Sequence, residues 1–78
     1  MSDAVVDTLL TVAAERFGRD RASLRPSDDF YAALEIDSVD AMTLLTAIEE
    51  RFGVEIPDYE VQDVRTFVAL AAVIARRV

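Results

Sequence analysis

The chain contains no cysteine, no histidine, no lysine and no tryptophan, so its eight basic residues are all arginines. Each absence removes a class of chemistry. Without thiols there is neither a disulfide framework nor a thiolate metal site, a composition that fits a reducing compartment. General acid–base work and activated nucleophiles draw mainly on His, Cys and Lys, so no serine here has a base of that kind to activate it. No apolar run approaches membrane-spanning length, and the start, Met1-Ser2-Asp3-Ala4, lacks the basic flank of a signal peptide. A soluble, cytoplasmic protein is expected. Its 78 residues make one domain over 1–78, near the lower limit at which a core holds a fold without staples.

What is present is acid, and it is unevenly spread. Of the net charge of −7, the segment from Ser27 to Asp63 carries −10, with eleven acids against Arg51 alone. The remainder holds four acids and seven arginines, or +3. Such a field repels nucleic acid and anionic membranes and steers towards basic protein partners. A merely solvated surface is the plainer reading, but clustering around one serine, Ser38, favours recognition.

One apolar pattern recurs three times. Val6, Leu9, Leu10, Ala13 and Phe17 share their spacing with Ala41, Leu44, Leu45, Ile48 and Phe52, and with Phe67, Leu70, Ala71, Ile74 and Val78. Each set lies on a single stripe of a helix with a 3.6-residue period. Ser2 or Asp3 is placed to cap the first helix, Asp37 or Ser38 the second and Thr66 the third, while Gly18 and Gly53 supply left-handed ends. Arg16, Arg51, Arg76 and Arg77 fall near C-termini, where the helix dipole favours positive charge. Residues 8–18 and 43–53 match at eight of eleven positions. Two copies are too few for a solenoid, so they read as two helices solving one packing problem.

The connection from Gly18 to Asp37 is long for so small a domain. Leu24, Phe30, Tyr31, Leu34 and Ile36 need burial, which predicts an ordered loop across the helix ends with Arg25-Pro26-Ser27-Asp28 as its turn. Pro57 disfavours helix at Ile56, so Val54-Glu55-Ile56 is expected to be extended. One short helical turn, capped by Asp58, is expected over Asp58–Gln62. The fold class is all-α: a small bundle of three main helices plus one short helix.

Phe30-x-x-x-Leu34-x-x-Asp37-Ser38, followed by an amphipathic acidic helix, Glu49-Glu50-Arg51-Phe52 and Ile56-Pro57-Asp58, resembles the signature of acyl carrier proteins, over most of the chain. The Asp-Ser pair alone carries no weight; its place in this succession does. The resemblance implies that Ser38 receives a 4′-phosphopantetheine arm from coenzyme A, transferred by a separate magnesium-dependent phosphopantetheinyl transferase. The arm's thiol then holds acyl groups as thioesters, which the protein, a carrier rather than an enzyme, presents to partners. An imported thiol suits a chain with none of its own. A phosphodiester at a helix N-terminus would lie near unpaired amides and the positive dipole end. The competing reading of Asp37-Ser38 is a plain N-cap pair, and Asp37 serves either as a cap or in presenting Ser38 to the transferase.

Helical geometry places Val39, Met42 and Thr46 to one side of the core stripe, flanked by Glu49 and Glu50, with Asp40 beside the serine. This strip is read as a docking patch for basic-rimmed partners, against the alternative that its apolar members pack partly into the core. The resemblance implies acyltransferases, ketosynthases or other acyl-processing enzymes as those partners, and a free-standing monomer. Departures from the pattern are Glu35, where relatives often have Gly, Val39, where Leu is usual, and Thr43, at a position frequently acidic in fatty-acid carriers. An ordinary loop conformation is expected at Glu35. These departures point away from housekeeping fatty-acid synthesis, leaving fatty-acid, polyketide and related specialised pathways. A peptidyl carrier is disfavoured because Glu35-Ile36-Asp37 stands where a Gly-Gly-containing segment is common. The alternative class is an unmodified acidic adaptor binding basic proteins. No segment has the ligand spacing of a calcium loop, and no metal ligands are assigned.

Overall fold

A computed structural model of the chain describes residues 3–78. Helix α1 spans Asp3–Phe17, α2 Phe30–Leu34, α3 Ser38–Phe52 and α4 Phe67–Ala75, with single 3-10 turns at Arg21–Ser23 and Asp58–Glu60. The cap expected from Ser2 or the side chain of Asp3 lies outside what is described. Helix α1 packs against both α3 and α4. The core between them is made by Leu9, Leu10 and Ala13 of α1, Leu44 and Ile48 of α3, and Phe67, Leu70 and Ile74 of α4, all buried. The expected stripes are therefore the packed faces.

Three ends form as the chain chemistry predicts. Gly18 and Gly53 adopt φ of +66° and +67°, the left-handed geometry that glycine enters without a Cβ penalty. Thr66 caps α4, its hydroxyl accepting from the Ala69 amide at 3.2 Å. The expected turn at Arg25–Asp28 also closes, with the Asp28 amide donating to the Arg25 carbonyl at 3.0 Å.

Three details differ. Part of the connection expected as loop is the five-residue helix α2, started by Asp29, whose carboxylate accepts from the Tyr31 and Ala32 amides at 2.8 and 3.3 Å. It buries Phe30 and Leu34, an i,i+4 pair, but one turn is too short for periodicity to separate it from a packed loop. At the second 3-10 turn the cap position is Pro57 and no side chain caps it, so Asp58 does not play the expected part. Val78 is 64% exposed rather than in the α4 stripe. The helix tightens beyond Ala75, the Arg77 amide donating to the Ile74 carbonyl at 2.8 Å, while Arg76 and Arg77 both turn to pair with Glu60.

The entries to α2 and α4 are tied together along the backbone. The Phe30 amide donates to the Arg65 carbonyl at 2.9 Å, Phe67 to Asp28 at 3.2 Å and Val68 to Pro26 at 2.8 Å. Beneath this tie the Phe30 and Phe67 rings pack 5.9 Å apart. Above it Arg65 bonds the Asp29 carboxylate at 3.0 Å and lies 4.7 Å from the centre of the Tyr31 ring. Burial by itself would raise the Asp29 carboxyl; the bond from Arg65, the Ala32 and Tyr31 amides and the Arg65 charge outweigh it and hold the group below its ordinary 3.8.

A carboxyl depressed on folding contributes stability above its unfolded value, and that contribution is lost as pH falls through the folded value. Asp29→Asn is therefore expected to melt below the parent at neutral pH. The gap should stay constant above the ordinary carboxylate range and narrow as pH falls through the lowered folded value. Thermal melts followed by circular dichroism across this range check it; a pH-independent gap contradicts the assignment.

Candidate functional site

Ser38 is the first residue of α3 and is exposed. Asp37, not Ser38, is the cap: its backbone is extended, its carboxylate accepts from the Asp40 amide at 2.9 Å, and its carbonyl accepts from Ala41 at 2.9 Å. That leaves the serine hydroxyl outside the cap. The amides of Ser38 and Val39 are first-turn donors with no acceptor inside the helix, at the positive end of its dipole. The residues present thus fit an ester on Ser38: the serine is exposed, and the first-turn amides beside it have no acceptor within the helix.

Behind this turn lies a cavity of about 270 Å³ with Ser38 at its edge. Helix α2 contributes Phe30 and Tyr31, and α4 contributes Leu70; Val61 and Gln62 come from the segment before α4. The α3 wall is Ala41, Leu44 and Leu45, with Val39 and Met42 nearer Ser38. Composition and periodicity mark Phe30, Tyr31 and Leu45 only as core. The sequence gives no sign that α2 stands far enough from α3 to leave a gap, because that separation is set by where the α2–α4 tie holds Phe30 and Tyr31.

The flanking strip is exposed where expected. Val39 is 70% and Met42 62% exposed, which excludes their packing into the core. Thr46 is exposed as well, its hydroxyl donating to the Met42 carbonyl at 3.0 Å. Asp40 is half-buried and Glu50 exposed, and neither forms an ion pair among the described residues. Glu49 is set apart. Its carboxylate accepts from the Ile56 amide at 2.8 Å, which anchors the chain leaving α3, so one of its oxygens is already engaged inside the protein.

Glu35 departs from the expected ordinary conformation. It is left-handed, φ 56° and ψ 49°, the one non-glycine with positive φ among the described residues. The cause is the ending of α2: the Glu35 amide donates to Ala32 at 3.3 Å and Ile36 to Tyr31 at 3.1 Å. That pair of bonds needs a left-handed residue between them. A side chain there costs about 1–2 kcal/mol. Arg19 offsets part of it, its Nη2 donating to the Leu34 carbonyl at 2.9 Å and to Glu35 Oε1 at 3.2 Å. The exposed ion pair contributes at most about 1 kcal/mol; the bond to the Leu34 carbonyl is partly buried.

A family described as "Phosphopantetheine attachment site" matches residues 7–74, a range that contains Ser38 and all four cavity walls. The chain is similar to proteins named acyl carrier protein. Identity is 36% over 64 residues with that of Myxococcus xanthus, covering 82% of this chain and 81% of the relative. With Micrococcus luteus it is 36% over 64 residues, covering 82% and 79%. With Helicobacter pylori strain G27 it is 38% over 61 residues, covering 78% of each.

Removing the Glu49 carboxylate leaves the amide of a buried residue, Ile56, without its partner. Glu49→Ala is expected to lose about 1–3 kcal/mol of unfolding free energy in urea titrations. Glu50→Ala, exposed and without an ion pair among the described residues, should change it by no more than about 0.5 kcal/mol. Equal effects of the two would contradict an internal role for Glu49.

Proposed function

The chain belongs to the phosphopantetheine-attachment family of acyl carrier proteins, and from that premise we propose that Ser38 bears the prosthetic arm and that the protein carries acyl intermediates between soluble biosynthetic enzymes. The observation that carries this reading is an exposed hydroxyl on the first residue of α3, at the edge of an apolar cavity. The family's prosthetic group is a covalently attached 4′-phosphopantetheine. Once attached, it supplies the thiol on which acyl groups are held as thioesters.

Loading is a phosphoryl transfer from coenzyme A. Ser38 Oγ forms a bond to the phosphorus nearer the pantetheine, the bond from that phosphorus to the bridging oxygen breaks, and adenosine 3′,5′-bisphosphate leaves. The serine proton passes to a base of the transferase. The chain contributes orientation and field. Asp37 fixes the first turn of α3 through the Asp40 amide, and the open amides of Ser38 and Val39 favour the negative charge of the phosphodiester.

The cavity suits the apolar part of the cargo. Each buried methylene gains about 0.8 kcal/mol. Chain burial competes with release to a partner, so partners must offer an apolar channel of their own.

Docking is assigned to Val39 and Met42 with Asp40 and Glu50, Thr46 lying on the same strip. Glu55, Asp58 and Asp63 extend the acidic field without internal ion pairs among the described residues. The partners this surface suits are a phosphopantetheinyl transferase and acyltransferases, ketosynthases or similar enzymes with basic rims around an apolar spot. Steering by exposed charge speeds encounter without strengthening the complex much, which fits successive visits. Glu35, Val39 and Thr43 depart from the pattern of housekeeping fatty-acid carriers, which leaves fatty-acid, polyketide and related specialised pathways open.

Incubation with coenzyme A, magnesium and a broad-specificity transferase is expected to add one phosphopantetheine by intact mass, and none to Ser38→Ala. No addition to the folded parent, under conditions that load a control carrier, would favour an unmodified adaptor. Met42→Ala should raise the transferase KM for the carrier by roughly threefold to tenfold with little change in kcat, as loss of docking contact does. An unchanged KM places the docking surface elsewhere.

A further inference from the structure

We propose that Arg19 is a positioning residue for the loading of Ser38, holding residue 35 in the left-handed conformation that directs Ile36-Asp37-Ser38 from α2 into α3. The proposal rests on the carrier reading and adds to it a residue outside the serine motif. At two other helix ends the chain meets the same backbone requirement with glycine, Gly18 and Gly53. At the end of α2, three residues before the modified serine, it uses Glu35 instead. That substitution needs a compensating contact, and Arg19 supplies it.

The geometry is specific. Arg19 follows Gly18, and its amide donates to the Ala14 carbonyl at 2.8 Å, so its backbone is part of the fixed end of α1. From there a single nitrogen, Nη2, reaches both the Leu34 carbonyl at 2.9 Å and Glu35 Oε1 at 3.2 Å. The Leu34 carbonyl is one of the last in α2 and has no amide of its own helix to accept from. A cation suits that end of the helix dipole. Arg19 therefore bonds the backbone just before the left-handed residue and the side chain of that residue. Between this double contact and Ser38 stand only Ile36 and Asp37. Ile36 is half-buried and Asp37 caps α3, so a change of conformation at residue 35 is transmitted to the start of α3.

The prediction turns on a background swap. Where Glu35 is present, Arg19→Ala leaves an uncompensated left-handed side chain. Where Glu35→Gly removes that requirement, Arg19→Ala has little left to disturb. Because both bonds leave one nitrogen, the ammonium of Arg19→Lys has enough donors to make both and serves as the conservative variant.

Two readouts are taken on the folded full chain, well below each variant's melting temperature. The first is amide hydrogen exchange of Glu35 and Ile36 by NMR. Arg19→Ala is expected to raise their exchange about tenfold, Arg19→Lys to stay within about twofold of the parent, and Arg19→Ala in the Glu35→Gly background to add nothing. The second is kcat/KM for transferase loading, expected to fall about fivefold or more in Arg19→Ala and to follow the same pattern of rescue. Unchanged exchange and loading in Arg19→Ala would overturn the proposal. So would an equal loading defect in both backgrounds, which would make Arg19 a direct transferase contact. If the parent itself is not loaded, the carrier reading fails, while the exchange measurement still decides whether Arg19 holds residue 35.

Discussion

The tie between the chain entering α2 and the chain entering α4 is the constraint on which the rest of the structure depends. Three backbone hydrogen bonds, from Phe30, Phe67 and Val68, join segments nearly forty residues apart, and the Asp29–Arg65 pair covers them. The tie fixes where Phe30 and Tyr31 stand relative to α3. A five-residue helix has too few internal hydrogen bonds to hold itself, so its position is borrowed from this contact. With α2 so placed, its apolar side chains line one wall of a cavity instead of closing it. Ser38, at the start of the opposite wall, comes to its edge.

The acids of the central segment divide into two groups with different work. Asp29 caps α2, Glu49 holds the Ile56 amide, Glu60 pairs with both terminal arginines and Glu35 pairs with Arg19. These charges stabilise turns and helix ends and are partly neutralised. Asp40, Glu50, Glu55, Asp58 and Asp63 have no such partner among the described residues and give the surface its field. The separation matters for a protein of this size, whose whole stability is roughly 4–12 kcal/mol. Removing one of the paired acids would loosen the turn or helix end that it holds.

Much of this was legible beforehand. The three long helices follow from stripes of apolar residues, because burial along one face of a helix imposes a 3.6-residue period on the chain. Gly18, Gly53 and Thr66 announce their ends through backbone freedom and side-chain capping, both local properties. Val39 and Met42 lie off the stripe, which predicted their exposure. Less could be read where local chemistry was ambiguous. Helix α2 has a single i,i+4 pair, Asp58 resembles a cap without acting as one, and Glu35 carries no mark of positive φ, since that conformation is imposed by the bonds that close α2. Val78 continued a stripe beyond the point at which its helix ended.

By itself the chain determined that it would be helical, that it would have no thiol, imidazole or amine side chain near Ser38, and that acid would surround it. Those outcomes depend on residue type and on spacing within a few turns. The tertiary structure alone decided that a cavity adjoins the serine, that Glu49 holds the Ile56 amide, and that Arg19 meets the end of α2. Each of these joins residues distant in sequence, and which distant groups meet is set by how the helices pack.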